Sequence, residues 1–241
     1  MKPFSGYAVK PIPYVIANII QCANHYKHTR VTSITHSFGL YDEAERIVGV
    51  LMFGPPSGAN VTKSFFGANP VKVRELKRLW VHDSIAKNGE SYFMAAAFKL
   101  LSATIEAIVT YADPEYHTGR VYLAANFSYC GQGTAQSVYT IEGISYNARA
   151  LLNGVTTQEL RAMFGENLDV TRAPGKLRYA IIIAKSRTRR ILLDSLLSVA
   201  SSQGQEQDFS KIARAKEKRT MSQQKYEDVG KKIKQQRKVE A

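Results

Sequence analysis

A loop and the helix after it carry the first chemically suggestive spacing in this chain. Lys87, Asn88, Gly89 and Ser91 stand between an alternating stretch, VKVRELKRLWV at 71–81, and an apolar-periodic one, SYFMAAAFKLL at 91–101. A glycine-bearing loop that opens a helix presents unpaired backbone N–H groups and the positive end of the helix dipole. That combination suits a phosphate or pyrophosphate. Lys87 and Asn88 add donors, and Ser91 can hydrogen-bond at the helix start. The plainer reading is that Asn88, Gly89 and Ser91 only turn the chain and cap the helix. Arg78 lies mid-strand in a largely apolar run, where a guanidinium needs an anion or an outlet to water. Asp113 ends the apolar AIVTYA at 107–112 and precedes Pro114. Strand C-terminal ends line the ligand crevice of open α/β sheets, and a carboxylate there can accept a proton from an amine. Its competing role is to form the turn before proline. His25 and Tyr26 stand just past an apolar helix. They can act as base or metal ligand and as proton donor, or can simply pack at the helix end. Tyr122 and Asn126 are spaced one turn apart on a short helical stretch and would share a face.

These residues need elements to hold them. Val15, Ile16, Ile19, Ile20 and Ala23 recur at helical spacing, so a helix is expected over Tyr14–Ala23 with that stripe inward. Val31–Leu40 and Arg46–Phe53 read as strands of a hairpin around the polar Tyr41–Glu45 turn. Val71–Val81 reads as a strand with Arg74, Leu76, Arg78 and Trp80 on one side. Ser91–Ile105 reads as a helix, Ala107–Ala112 as a buried strand and Val121–Tyr129 as a short helix. Val138–Ile144 and Tyr179–Ala184 read as further strands. The order predicts an α/β domain with a mixed sheet.

The chain has 241 residues, 44% of them hydrophobic, so it can bury a full core. Its net charge of +13 points to a polyanion. The charge is concentrated. Arg172, Lys176, Arg178, Lys185, Arg187, Arg189 and Arg190 form an acid-free run of net +7, and Gln205–Ala241 adds +5. The body is therefore near neutral, and the seven basic residues are the expected nucleic-acid contacts. A Ser/Gln-rich linker is expected to start near Ser198, dividing a catalytic domain at 1–197 from a basic arm, helical or disordered, at 198–241. Cys22 and Cys130 are too few for a disulfide scaffold. With no apolar run of about 18 residues and no targeting segment, no membrane partner is expected, and the expected location is a reducing cytoplasm. No spaced His/Cys/Asp cluster argues firmly for a metal site.

The order of elements resembles the GNAT acyltransferase fold, in which the loop before the helix takes the pyrophosphate of acyl-CoA. Gly89 matches the first glycine of that loop, while Ala86 and Ser91 replace the usual Arg/Gln and second small residue. The ordered strings NHYKH, HSFGLYD, VGVLMFGPPS, VRELKRLWV, KNGESYF, IVTYAD, GRVYLAANFSYCG and KLRYAIII resemble more closely the Mom family of bacteriophage DNA-modification proteins, over roughly Tyr14 to Ile183. The resemblance implies a GNAT-like mixed central sheet flanked by helices. It implies conversion of adenine in phage DNA to a carbamoylmethyl derivative on its exocyclic amine, which blocks host restriction. Asp113, His25 and Tyr26 match its catalytic positions, the His25–Tyr26 pair extending to iron binding, and Tyr122 lies where GNAT enzymes often carry the tyrosine that protonates the departing thiolate. Arg78 and Ser91 match its cofactor side, and Lys87, Asn88, Gly89 and Asn126 are expected to join them in holding an acyl-CoA such as acetyl-CoA. Double-stranded DNA is the implied substrate, in the cytoplasm of a phage host, and the chain is compatible with a homodimer. Two other functions fit the residues: an N-acetyltransferase acting on a protein or small-molecule amine, and a non-catalytic nucleic-acid-binding protein.

Overall fold

In a computed structural model the chain is described over residues 4–26, 28–68, 71–141, 144–147, 156–184 and 187–202. The main sheet has seven strands: β1 (Ala8–Pro11), β2 (His36–Tyr41), β3 (Ile47–Gly54), β4 (Val73–Val81), β5 (Ala107–Ala112), β10 (Leu177–Ile182) and β6 (Ser128–Gln132), in that spatial order. Every neighbouring pair is antiparallel except β4 and β5. A parallel pair needs a long crossover, and α3 (Gly89–Leu100) supplies it. A second sheet holds β7 (Gln136–Ile141), β8 (Ile144–Asn147) and β9 (Leu168–Ala173), in the order β8-β7-β9. Sequence patterning showed one strand at Val138–Ile144. The structure has the β7–β8 pair instead.

The sheet is buried on both faces. Leu51 and Phe53 of β3 face one way, into a core with Phe93, Met94 and Ala97 of α3. Val50 and Met52 face the other way, with Ala17 of α1 (Tyr14–Asn24). The same second face is covered by Phe65 and Phe66 of α2 (Val61–Phe66) and by Leu192 and Leu196 of α6 (Arg187–Ser202). The remaining α-helices among the described residues are α4 (Arg120–Ala124), on the α3 side, and α5 (Thr157–Phe164), beside the small sheet. This is the mixed α/β arrangement, a mixed central sheet flanked by helices, that the element order implied. No helix among the described residues is long and apolar enough to cross a membrane.

Several local expectations are corrected. Helix α1 forms where periodicity places it, but inverted: Asn18 is 3% exposed while Ile19 is 65% exposed. The cause is a pair of hydrogen bonds. Asn18 Nδ2 donates to the Val31 carbonyl at 3.0 Å, and the Val31 N–H donates to Asn18 Oδ1 at 2.8 Å. Those bonds turn the polar stripe inward. They also occupy the Val31 backbone, and β2 begins only at His36. Helix α4 is five residues long, shorter than expected, and Asn126 follows it in a left-handed conformation at φ 65°. Asn126 therefore does not share a helical face with Tyr122. Helix α6 runs through Ser202, so the expected linker start at Ser198 falls inside a helix. Residues 203–241 lie outside the described residues.

One basic residue is also corrected. Arg178 is buried, not presented to DNA. Its guanidinium donates to the Ser64 carbonyl at 2.7 Å and to Ser64 Oγ at 3.0 Å, and sits 4.3 Å from the Phe65 ring centroid. It ties β10 to α2. We expect Arg178→Met to lower stability by about 2–3 kcal/mol, since the charged hydrogen bonds that tie β10 to Ser64 disappear. Urea unfolding measures this. An unchanged midpoint would contradict the structural role.

Burial pushes the Cys130 thiol up from 9.0 to about 12. Unfolding releases a thiol that ionises near 9, so the unfolded state gains increasingly as pH rises from about 9 to 12. Alkaline unfolding should be less steep in pH for Cys130→Ala than for the parent chain. Identical slopes between pH 9 and 12 would refute this contribution.

Candidate active site

The site begins where two strands part. Strands β4 and β5 pair only from Val73–Ala107 to Leu76–Thr110. Beyond that point β4 continues to Val81 beside β3, while β5 continues to Ala112 beside β10. A bulge accompanies the parting: Met52 faces Arg78 but Phe53 faces Leu76, so Lys77 is an extra residue. The bulge reverses the alternation of β4. Leu76 lies on the α3 side, as do Leu79 and Val81, while Arg78 and Trp80 turn toward α1. Sequence alternation had put Leu76 and Arg78 on one side.

In the opening, groups from opposite faces of the sheet meet. Thr110 Oγ1 donates to the Leu76 carbonyl at 3.0 Å at the apex, and the Tyr122 hydroxyl from α4 lies close enough to Thr110 and Arg78 for both to act on it. From the other face comes Tyr26, just past α1. Its hydroxyl feels Asp113, Tyr122 and Arg78 together. Burial, then the Asp113 charge, holds the Tyr26 hydroxyl well above its ordinary value, with Arg78 opposing. Burial likewise raises Tyr122. Both phenols therefore keep their protons at neutral pH and serve as hydrogen-bond donors, not bases. Arg78 is desolvated, with Tyr26 and Tyr122 as its leading compensating neighbours. Asp113 supplies the carboxylate. Its backbone carbonyl accepts from Tyr116 N–H at 3.0 Å and His117 N–H at 2.7 Å, and its Oδ1 accepts from Glu115 N–H at 3.3 Å.

An aromatic stack closes this cluster. His25 stacks on Tyr26 with centroids 4.3 Å apart, Tyr26 stacks on Tyr116 at 4.7 Å, and His117 meets Tyr26 edge-on at 4.7 Å. Tyr116 and His117 were not singled out from sequence. The signal was present: Asp113-Pro114 opens a single turn, and a turn returns residues three and four positions on beside its start.

A separate groove of about 420 Å³ lies at the start of α3. It is lined by His82, Asp83, Lys87, Asn88, Ser91 and, from α4, Arg120, among others. Asn88 takes the left-handed conformation at φ 73°, and Gly89 is needed for space: a Cβ there would stand 2.4 Å from Ile85 Cγ2. The groove joins a helix N-terminus to the cations Lys87 and Arg120, with the carboxylates Asp83 and Glu90 also in its lining; the N-terminus and the cations suit a phosphate-bearing group. Asn126 does not line it.

A model of the Mom protein family matches residues 6–197. The chain belongs to that family. It is 29% identical over 147 residues to the methylcarbamoylase Mom of Escherichia phage Mu, covering 58% of this chain and 59% of that protein. The chain thus spans about three fifths of the length of that curated relative. Among solved structures it is similar to a spermidine N-acetyltransferase from Vibrio cholerae, at 9% identity and TM-score 0.40, covering 74% of this chain and 94% of that one. It is also similar to a GNAT family N-acetyltransferase from Escherichia coli in complex with CoA, at 13% identity and TM-score 0.38, covering 51% and 68%.

In this Mom-family chain the fold brings His25, Tyr26, Arg78, Asp113 and Tyr122 to one opening, and Lys87, Asn88 and Ser91 to the groove beside it. It does not gather the basic run. Arg172 is exposed on β9, in the small sheet. Lys176 is exposed one step beyond the Leu177–Ala112 pair, at the Asp113 end of the main sheet. Arg189 and Arg190 are exposed at the start of α6, which follows the far end of β10. Lys185 lies outside the described residues, and of Arg187 only the backbone is described. Among the described residues no group of three or more His, Cys, Asp and Glu side chains could hold a metal ion.

The electrostatics carry a signed prediction. Asp113→Asn removes a charge that opposes Tyr26 ionisation, so the Tyr26 pKa should fall. Arg78→Gln should raise it. Tyrosine ¹³Cζ NMR titration reads both, and equal shifts of the same sign would show that the three groups do not interact.

Proposed function

We propose that this protein modifies adenine in double-stranded DNA at the exocyclic amine, adding a carbamoylmethyl group as its family implies. The observation that supports this best is the convergence of Asp113, Arg78, Tyr26 and Tyr122 in the β4–β5 opening of a Mom-family chain. Asp113 accepts a proton from the attacking amine. Tyr26 and Tyr122 donate hydrogen bonds to negative charge that develops on the donor, and Arg78 holds that charge electrostatically. The adjacent groove holds a phosphate-bearing donor of the acyl-CoA kind through α3 N–H groups, Lys87, Asn88, Ser91 and Arg120. Were such a thioester donor bound, the adenine nitrogen would form its new bond to the thioester carbon as the C–S bond breaks, the electron pair leaving on the thiolate and the amine proton passing to Asp113; that step gives an acyl adenine, and the nitrogen of a carbamoylmethyl group would come from a further co-substrate. The target amine is paired inside a duplex, so the base must leave the stack to reach Asp113.

Expression followed by nucleoside mass spectrometry of the host DNA tests this proposal. The parent chain should yield a modified adenine. Asp113→Asn should lower it by about 10²-fold or more, with little change in melting temperature because Asn can still accept from Glu115 N–H. An unmodified adenine pool under confirmed soluble expression would sink the proposal. A general N-acetyltransferase is the second reading, favoured by the same groove. Calorimetry with acetyl-CoA, with and without DNA, separates the two, since only the first predicts turnover on DNA.

The dispersed basic residues and residues 205–241 would hold the phosphate backbone. Lys176 stands nearest the opening. Deleting residues 205–241 should weaken DNA binding and flatten its salt dependence, by about 0.9 in log–log slope for each phosphate that is no longer neutralised. Filter binding across a salt series measures this. An unchanged slope would assign phosphate binding to the body instead.

A further inference from the structure

Pro11 and Pro13 carry no N–H, so β1 does not follow β2 beyond Pro11. Strand β2 goes on to His36, and the notch beside it holds a cavity of about 310 Å³. Its apolar walls include Ile12, Ile34, Phe38 and Leu100, and its polar groups belong to Tyr14, Thr35, His36 and Ser37. Among the described residues no carboxylate lines it. The cavity is apart from the active-site opening. His36 pairs with Phe53 and Phe53 with Leu76, whereas the opening lies from Leu76 toward Val81.

Two of the polar groups are occupied. Ser37 Oγ donates to the Ile12 carbonyl at 2.6 Å. Thr35 Oγ1 lies 2.9 Å from His36 Nδ1 and 3.5 Å from the Phe53 carbonyl, which already accepts the Thr35 N–H at 2.8 Å. The single hydroxyl proton of Thr35 therefore goes to Nδ1, and the ring proton of His36 sits on Nε2. Burial, then the Arg74 charge, holds the His36 pKa below its ordinary value, so the ring is neutral at pH 7. Neither that Nε2–H nor the Tyr14 hydroxyl has a hydrogen-bond partner among the described residues. Arg74, close enough to act on His36, gives Nη1 to the Val73 carbonyl at 3.1 Å, while its Nε is buried without a partner. Donors and a positive charge thus border an apolar cavity in which no negative charge answers them.

We propose that this notch binds a small aliphatic carboxylic acid as its anion, the carboxylate taking His36 Nε2–H and the Tyr14 hydroxyl and the hydrocarbon chain lying on Ile34, Phe38 and Leu100. Small-molecule sites are mostly apolar with a few placed polar groups, and they start at about 300 Å³. Arg74 adds an attraction that an uncharged analogue does not feel. Inorganic phosphate is a poor match, because the apolar walls offer it no donors. The groups that hold the acid belong to α1 and β2, not to the groove at the start of α3. This is therefore a second ligand site, and it stands whether or not DNA is the substrate of the first.

The test titrates the full chain with valerate, with valeramide, which has the same shape and no charge, and with acetate, which has no chain to bury. NMR signals of the His36 ring, assigned through His36→Gln, read the binding. Valerate should shift them saturably, with a dissociation constant of about 1 mM. Valeramide and acetate should bind about tenfold more weakly or worse. Arg74→Met should weaken valerate by about threefold or more and leave valeramide unchanged. Leu100→Gln, at an exposed position, should weaken valerate without unfolding the chain. Circular dichroism checks the variants, and Arg74→Lys, which keeps the charge, should retain valerate affinity should the Met variant not fold. A His36 ring unshifted up to about 10 mM valerate overturns the site. Valeramide binding as tightly as valerate, or valerate affinity unchanged in Leu100→Gln, overturns it as well.

Discussion

Everything distinctive about this molecule follows from the end of β4–β5 pairing at Leu76 and Thr110. Two parallel strands that stay paired seal a sheet, and groups on its opposite faces cannot meet. Here the extra residue at Lys77 bends β4 away, and β5 keeps only β10 as its partner. The gap admits Tyr26 from the α1 face and Tyr122 from the α4 face to the same small volume. Arg78 arrives there because the bulge reverses its side. Lys77 is itself anchored: its Nζ donates to Ser57 Oγ at 2.9 Å and lies 3.6 Å from Glu75, whose carboxylate also accepts from the Ser57 N–H. The loop after β3 thereby holds the bulge in place.

Burial then sets the chemistry. Desolvation raises both phenols of the opening and disfavours the charged state of Arg78. Arg78 and the two hydroxyls compensate one another, with the Asp113 carboxylate beside Tyr26. Protonated phenols and a guanidinium make the site electrophilic toward developing negative charge. Asp113 is the carboxylate that acts on Tyr26, while Glu75 acts on Arg78. The division into donors and acceptor is thus a consequence of dielectric and charge placement, and it would hold for any amine-modifying reaction run in this opening.

The remaining surfaces separate structure from binding. Helix α1 turns its polar residues inward, where Asn18 pins the segment around Val31, and so fixes the end of the helix that delivers His25 and Tyr26. Arg178 is likewise used internally, bracing α2 against β10. The other described basic side chains of its run are scattered over β9, the turn before β10 and the start of α6. A contiguous charge in sequence has become several separate charges in space.

Local features were legible in the sequence because their causes are local. The uninterrupted apolar run of β5, the hairpin around Asp42, the helix after Gly89 and the total charge follow from residue type and spacing. Asp113 and the groove residues could be named for the same reason, since strand ends and helix starts are read from neighbours. What the tertiary structure alone decided depended on distant backbone. The bulge at Lys77 is defined by its register with β3, the inversion of α1 by hydrogen bonds to Val31, and the inward turn of Arg178 by Ser64. The pairing of Tyr26 with Tyr116 joins residues 90 positions apart. Periodicity reports which face a side chain takes only while an element stays regular and its polar groups bond to themselves. Wherever a bulge or a side-chain hydrogen bond intervenes, the three-dimensional partner decides.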